Sequence, residues 1–127
     1  MTLRCVIVDD NPAVLHAASH LLETQGVAVV GVAATGEEAL ALMEEQEPDV
    51  MLVDIDLGIE SGFELARRLA PCLARTRSSV ILISTHDEVD YATLIAASPA
   101  IGFLPKSDLS AAGIHRLLAQ DRDEGRY

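Results

Sequence analysis

Four aspartates, one serine and one lysine carry the chemistry this sequence can do. Asp9 and Asp10 close the apolar run from Cys5 to Val8, Asp54 closes the run from Val50 to Val53, and Asp56 follows two residues later. Where two such runs lie side by side, the four acids at their ends should converge. Two unit charges about 4 Å apart at an effective dielectric near 20 repel by ~4 kcal/mol, so such a cluster either holds a cation or shifts its pKa values. A hard divalent ion answers that need. Mg²⁺ takes oxygen ligands, keeps several waters, and is held by one or two carboxylates plus phosphate oxygens. Ser84 follows the run Val80 to Ile83, and Lys106 follows Phe103, Leu104 and Pro105. A hydroxyl and an ammonium beside an acid-bound metal are the donors that a phosphoryl group requires. Singly, each residue has a plainer use: an Asp in a turn, Asp9 as an orienting neighbour of Asp10, Ser84 as a helix cap, Lys106 as a solvated charge. Their joint placement at run ends is what favours a site.

The elements that must position them follow from hydrophobic patterning. Five short apolar runs rich in Val and Ile, Arg4 to Val8, Val27 to Val32, Val50 to Val53, Val80 to Ile83 and Ile101 to Leu104, are mostly continuous rather than alternating. That suits strands covered on both faces of a parallel sheet. Helices fall between them. Pro12 to Gln25 has Asn11 as N-cap and Gly26 as its stop, and Thr35 with Glu38 makes a capping box for a second helix that leaves at Pro48. A third is expected from Phe63 to Leu73 with Pro71 near its end, a fourth from Asp87 to Ala97, and a fifth from Asp108 to Gln120 behind Ser107 as cap. Strand then helix, five times over, predicts a doubly wound α/β domain: a five-stranded parallel sheet flanked by five helices. Ligand sites in such folds lie beyond the carboxyl ends of the strands.

Composition narrows the choice of function. With 127 residues, the chain fits one domain, read as residues 1–120 followed by a charged tail of residues 121–127. A net charge of −11 is the wrong sign for holding a phosphate backbone, so direct nucleic-acid binding is not expected. The longest uncharged stretch, Tyr91 to Pro105, contains Pro99 and Gly102 and falls short of the ~20 apolar residues of a membrane helix. The N-terminal residues are unlike a signal peptide, and Cys5 and Cys72 read as reduced thiols, so a cytoplasmic location is expected. His16 and His20 stand at metal-pair spacing without a third ligand, and His115 stands alone; all three read as surface or packing residues.

Taken together, the sequence resembles the receiver domain of two-component response regulators, a flavodoxin-like fold. The resemblance rests on Asp9-Asp10, Asp54, Gly62, Ser84 and Pro105-Lys106, in the family's order, and runs from Cys5 to about Leu118. The stretch Val30 to Leu40, with Ser84 to Asp87, looks most like the branch that often precedes helix-turn-helix output domains. The resemblance implies that Asp54 accepts a phosphoryl group from a sensor histidine kinase or phosphotransfer protein. Asp10, Asp54 and the backbone carbonyl of Asp56 would hold Mg²⁺, Asp9 supporting it through water. Lys106 would neutralise phosphoryl oxygens, Ser84 would move to bond one of them, and Phe103 would turn inward as the switch aromatic. The face of the fourth helix, fifth strand and fifth helix, with Thr93, Ile101, Phe103 and Leu109, would carry the signal, with homodimerisation as one outcome. Leu57-Gly58 stands where the family often has Met-Pro, Thr85 where a small residue is usual, and Asp56 and His86 where water attack on the phosphoryl group is tuned.

Two rivals stay open on sequence grounds. Val53 to Gly58 also looks like the nucleophile strand of haloacid-dehalogenase-type phosphatases, although that motif normally sits on the first strand of a longer domain. The other rival is a degenerate receiver that only binds partners.

Overall fold

Continuous apolar strands need cover on both sides, and the chain supplies it with two helix layers. The computed structural model describes residues 2–85 and 90–124, the side chains of 122–124 excepted. Strands β1 (Arg4–Val8), β2 (Ala28–Ala33), β3 (Val50–Asp54), β6 (Ser79–Ser84) and β7 (Gly102–Pro105) form one sheet in the order β2-β1-β3-β6-β7. All four pairings are parallel. This is the strand order of flavodoxin-like folds. Between β3 and β6 lies a small antiparallel hairpin, β4 (Asp56–Leu57) with β5 (Glu60–Ser61), which the hydropathy pattern does not announce.

Alternate residues of each strand enter different cores. Val6, Val8, Met51, Val53, Val80 and Leu82 meet α2 (Gly36–Gln46) and α3 (Gly62–Thr76) through Met43, Phe63, Leu65 and Leu69. Cys5, Ile7, Val50, Leu52, Ile81 and Ile83 meet α1 (Pro12–Thr24) and α5 (Ala111–Glu124) through Leu15, Leu22 and Ile114. Each fully buried Leu, Ile or Val of this kind contributes ~1.5–3 kcal/mol. Burial of Cys5 also pushes its thiol up to about 12, which leaves it an inert core residue.

The helix signals were partly displaced. Asn11 caps α1 through Ala13 and Val14 as expected. Thr35 caps α2 by accepting from Glu38, whose carboxylate reaches one residue further back, to the Ala34 N–H at 2.9 Å. The third helix does not stop at Leu73: Pro71 lies on the exposed face, so the hydrogen bond it cannot donate costs little beside the burial of Leu69 and Cys72, and the helix runs to Thr76. The fifth helix starts at Ala111 rather than Asp108. Lys106–Asp108 forms a 3₁₀ turn, and the cap is Ser110, which accepts from Gly113 at 3.0 Å, not Ser107. It also continues to Glu124, four residues into the segment read as a tail. Of the fourth helix, Ala92–Ala96 is α4; its expected start at Asp87, and His86, lie outside the described residues.

Candidate functional site

The strand order puts the carboxyl ends of β1, β3, β6 and β7 in a row. Asp9 and Asp10 leave β1, Asp54 ends β3, Ser84 ends β6 opposite Pro105, and Lys106 begins the turn after β7. Asp9 is wholly buried, Asp54 and Ser84 nearly so, and Asp10 is exposed. One carboxylate oxygen each from Asp9, Asp10 and Asp54 lie within 4.8 Å of one another. The Lys106 Nζ enters the same space, donating to Asp9 Oδ2 at 2.7 Å and to Asp54 Oδ2 at 3.2 Å.

Asp9 therefore does more than orient its neighbour. Its Oδ1 accepts from the Asn11 N–H at 2.9 Å while its Oδ2 holds Lys106, so it fixes both the start of α1 and the ammonium. The fourth acid does not join the cluster. Asp56 is exposed, and its carboxylate turns back to accept the Gly58 N–H at 3.2 Å, as a short polar side chain does in a tight turn. Its backbone N–H donates to Asp54 Oδ1 at 3.3 Å, so the hairpin still meets Asp54.

Electrostatically, three carboxylates face one ammonium, an excess of two negative charges when all are ionised. Burial pushes the Asp54 carboxyl above the usual carboxylate range, with repulsion from Asp9 adding to the rise and Lys106 partly opposing it. Burial alone would lower Lys106, but its bonds and charges with Asp9 and Asp54 outweigh that and leave it raised. The oxygen-only donor set and the twofold charge deficit fit Mg²⁺.

Beneath Asp54 the backbone is tightly packed. Gly62, the first residue of α3, donates its N–H to the Ile55 carbonyl at 2.6 Å, and a Cβ there would overlap the Asp54 carbonyl oxygen and lie 2.8 Å from Ile55 Cα. Both are backbone atoms that cannot swing aside. Gly62→Ala is expected to lower stability by about 1–3 kcal/mol, the range for overpacking, and urea denaturation checks it.

Some expected members lie elsewhere. Phe103 is buried in the core cluster against which Tyr91 and Ile95 pack. Leu109 is a core residue with Leu15 and Ile114, not a surface one. Of the expected signalling face, Thr93 is exposed and Ile101 half-buried, and Leu94 adds an exposed apolar side chain that the sequence did not single out. His16, His20 and His115 are exposed.

A flavodoxin-like sheet whose carboxyl edge gathers acids, a lysine and a buried serine defines an acid-pocket α/β domain. The chain belongs to the response regulator receiver domain family, whose model matches residues 5–117. It is 28% identical over 126 residues to the uncharacterized transcriptional regulatory protein YxjL of Bacillus subtilis, covering 98% of this chain and 57% of that one. It is 34% identical over 118 residues to the transcriptional activator protein ExaE of Pseudomonas putida, covering 90% of this chain and 54% of that one. The chain thus spans a little over half the length of these two curated relatives. The signal receiver domain of NarL from Mycobacterium tuberculosis superposes with a TM-score of 0.75 at 31% identity, covering 85% of this chain and 86% of that domain. Phosphorylation and Mg²⁺ are typical of the family, which works with histidine kinases or phosphotransfer proteins. Nothing in the fold or the match favours the phosphatase alternative. No described helix is long and apolar enough to cross a membrane.

Proposed function

We propose that Asp54 is the phosphoacceptor and that this chain takes its phosphoryl group from a phosphohistidine on a kinase or phosphotransfer protein. The observation that carries the reading is the Lys106 Nζ lying between Asp9 and Asp54 with Asp10 at the same point. A carboxylate oxygen of Asp54 attacks phosphorus, the P–N bond to the histidine breaks, and the imidazole nitrogen keeps the electron pair. Asp10, Asp54 and the Asp56 carbonyl would hold Mg²⁺, with Asp9 supporting it through water. When bound, Mg²⁺ neutralises charge on the phosphoryl oxygens. Lys106 offers a second cation to them and Ser84 a hydroxyl donor.

Because the chemistry happens on the chain itself, the product is a modified protein rather than a turned-over substrate. Inverting a two-state population from 1:99 to 99:1 takes about 5.5 kcal/mol. Two charge-assisted contacts at ~1.5–3 kcal/mol each, from Ser84 and Lys106, reach that at the upper end of their range. Phe103 would couple them to the face of α4, β7 and α5, where Thr93 and Leu94 are exposed and Ile101 is half-buried, as a surface for a partner or a second copy. The net charge of −11 argues against direct contact with nucleic acid. The receiver in this reading runs to the end of α5, beyond residue 120, and reduced, buried cysteines suit the cytoplasm.

Incubation with acetyl phosphate and Mg²⁺ should add one phosphoryl group per chain by intact mass. Chelation of the metal should prevent it. No gain with Mg²⁺ present overturns the reading, and steady turnover of small phosphate esters would revive the phosphatase.

A further inference from the structure

The hairpin β4–β5 has two residues in each strand, too few to hold together alone. Its backbone nevertheless forms a wall of the acidic pocket. The Asp56 N–H meets Asp54 Oδ1 at 3.3 Å, and a Cβ built on Gly58, whose φ is +82, would lie 3.4 Å from Asp10 Oδ2. Any displacement of the hairpin therefore displaces the pocket. Leu57, 7% exposed, anchors one strand, whereas Ile59 at the tip is fully exposed and contributes no packing.

The second anchor is polar. Arg68 on α3 donates through one guanidinium nitrogen to both Glu60 oxygens, at 2.8 and 2.7 Å, and through the other to Glu37 on α2 at 3.5 Å. Gly36 makes room for it: a Cβ at that position would overlap Glu60 Oε1 and lie 2.9 Å from the same Arg68 nitrogen. None of these residues touches the carboxylates of the pocket.

We propose that the Arg68–Glu60 pair is a positioning device for the acidic pocket, pinning the hairpin to α3 and α2 so that the Asp56 backbone stays where the ion is bound. The proposal rests on the Mg²⁺ reading of that pocket given above. With the Arg68 side chain 41% exposed, the pair adds little to global stability although Glu60 is partly buried, so the effect is local: the hairpin opens more often while the core is unchanged.

The test compares Glu60→Gln, Arg68→Met, Gly36→Ala and Arg68→Lys. In metal-free protein, amide exchange at Asp56 and Gly58 should quicken about three- to fivefold in the first three variants, and the calorimetric Mg²⁺ dissociation constant should rise by a similar factor. The urea midpoint without metal should stay at the wild-type value for Glu60→Gln and Arg68→Met. Gly36→Ala should not lower it, because Ala is the better helix former and only the flexible ends of Glu60 and Arg68 must move. Arg68→Lys should keep most of the wild-type affinity, since one ammonium can meet both Glu60 oxygens. The charge signs provide the decisive contrast. If long-range charge alone mattered, removing the arginine would tighten Mg²⁺ and removing the glutamate would weaken it; a positioning pair weakens it both ways. Tighter binding by Arg68→Met, or unchanged exchange in all variants, overturns the proposal. Wild-type protein that binds no Mg²⁺ instead removes the pocket reading beneath it.

Discussion

Asp54→Asn is expected to end phosphoryl acceptance while making the metal-free protein more stable at neutral pH. The first effect is chemical: an amide oxygen is not a nucleophile toward phosphorus, and with the acceptor gone the mass gain from acetyl phosphate should vanish. The second follows from the site's charge. Asp54 is buried and repelled by Asp9, and its folded-state pKa is raised above the unfolded value of 3.8. As pH rises past 3.8, the unfolded chain gives up its proton first, so the folded state binds more protons and stability falls with rising pH. Above the folded pKa the whole cost is present. Asparagine removes it but also gives up the 3.2 Å bond to Lys106, leaving the ammonium its shorter bond to Asp9. The net gain is about 1 kcal/mol, or a rise in Tm of about 4 °C for a domain of this size. The advantage should shrink as pH is lowered toward 3.8. Mg²⁺ should stabilise the wild type more than the variant, because the wild type has more charge for the ion to offset. An undiminished mass gain in Asp54→Asn would move the acceptor elsewhere.

The strands were legible because both of their faces are apolar: Val50 to Val53 reads as one buried run, and the sheet splits it alternately between two cores. The acids were legible because they sit immediately after such runs, where strand order alone brings them together. What stayed hidden depends on tertiary distance or on competition between local signals. Pro71 reads as a stop, but only the burial of its neighbours shows that α3 continues past it. Ser107 reads as the cap of the fifth helix, but the 3₁₀ turn takes Lys106–Asp108 and moves the cap to Ser110. Ser61 caps α3 through Glu64 at 3.1 Å, and its spacing to that glutamate was a signal available in the sequence. The Arg68–Glu60 pair, eight residues apart between a hairpin strand and the helix after it, carries no such signal. Asp56 was placed with the other acids on spacing, and its turn toward Gly58 needed the hairpin to be seen.

Lys106→Met should produce the opposite stability change from Asp54→Asn and a slower phosphoryl transfer. At pH 7 the ammonium is the one cation bonded to two buried carboxylates among the described residues, with its side chain 19% exposed. Removing it leaves Asp9 and Asp54 facing each other without compensation, the case in which a broken buried pair is most costly. Allowing for the water that still reaches the site, the loss is about 2 kcal/mol in metal-free protein. The pH dependence has its own sign. A lysine whose folded pKa is raised contributes stability that is complete below the unfolded value of 10.5 and disappears as pH climbs through the folded value. Wild type and variant should therefore differ across neutral pH and converge in strong alkali, where the ammonium is lost, and in acid, where the Asp54 carboxylate is protonated. Mg²⁺ should restore much of the variant's stability and bind it more tightly than the wild type, because no ammonium competes for the same oxygens. Phosphoryl transfer from acetyl phosphate should slow by about 10²-fold, the usual cost of losing one donor aimed at developing charge. Denaturation with and without Mg²⁺ reads the first set of effects and time-resolved mass measurement reads the last. A variant as stable as wild type in the absence of metal would mean that Lys106 is not what holds the acid cluster together.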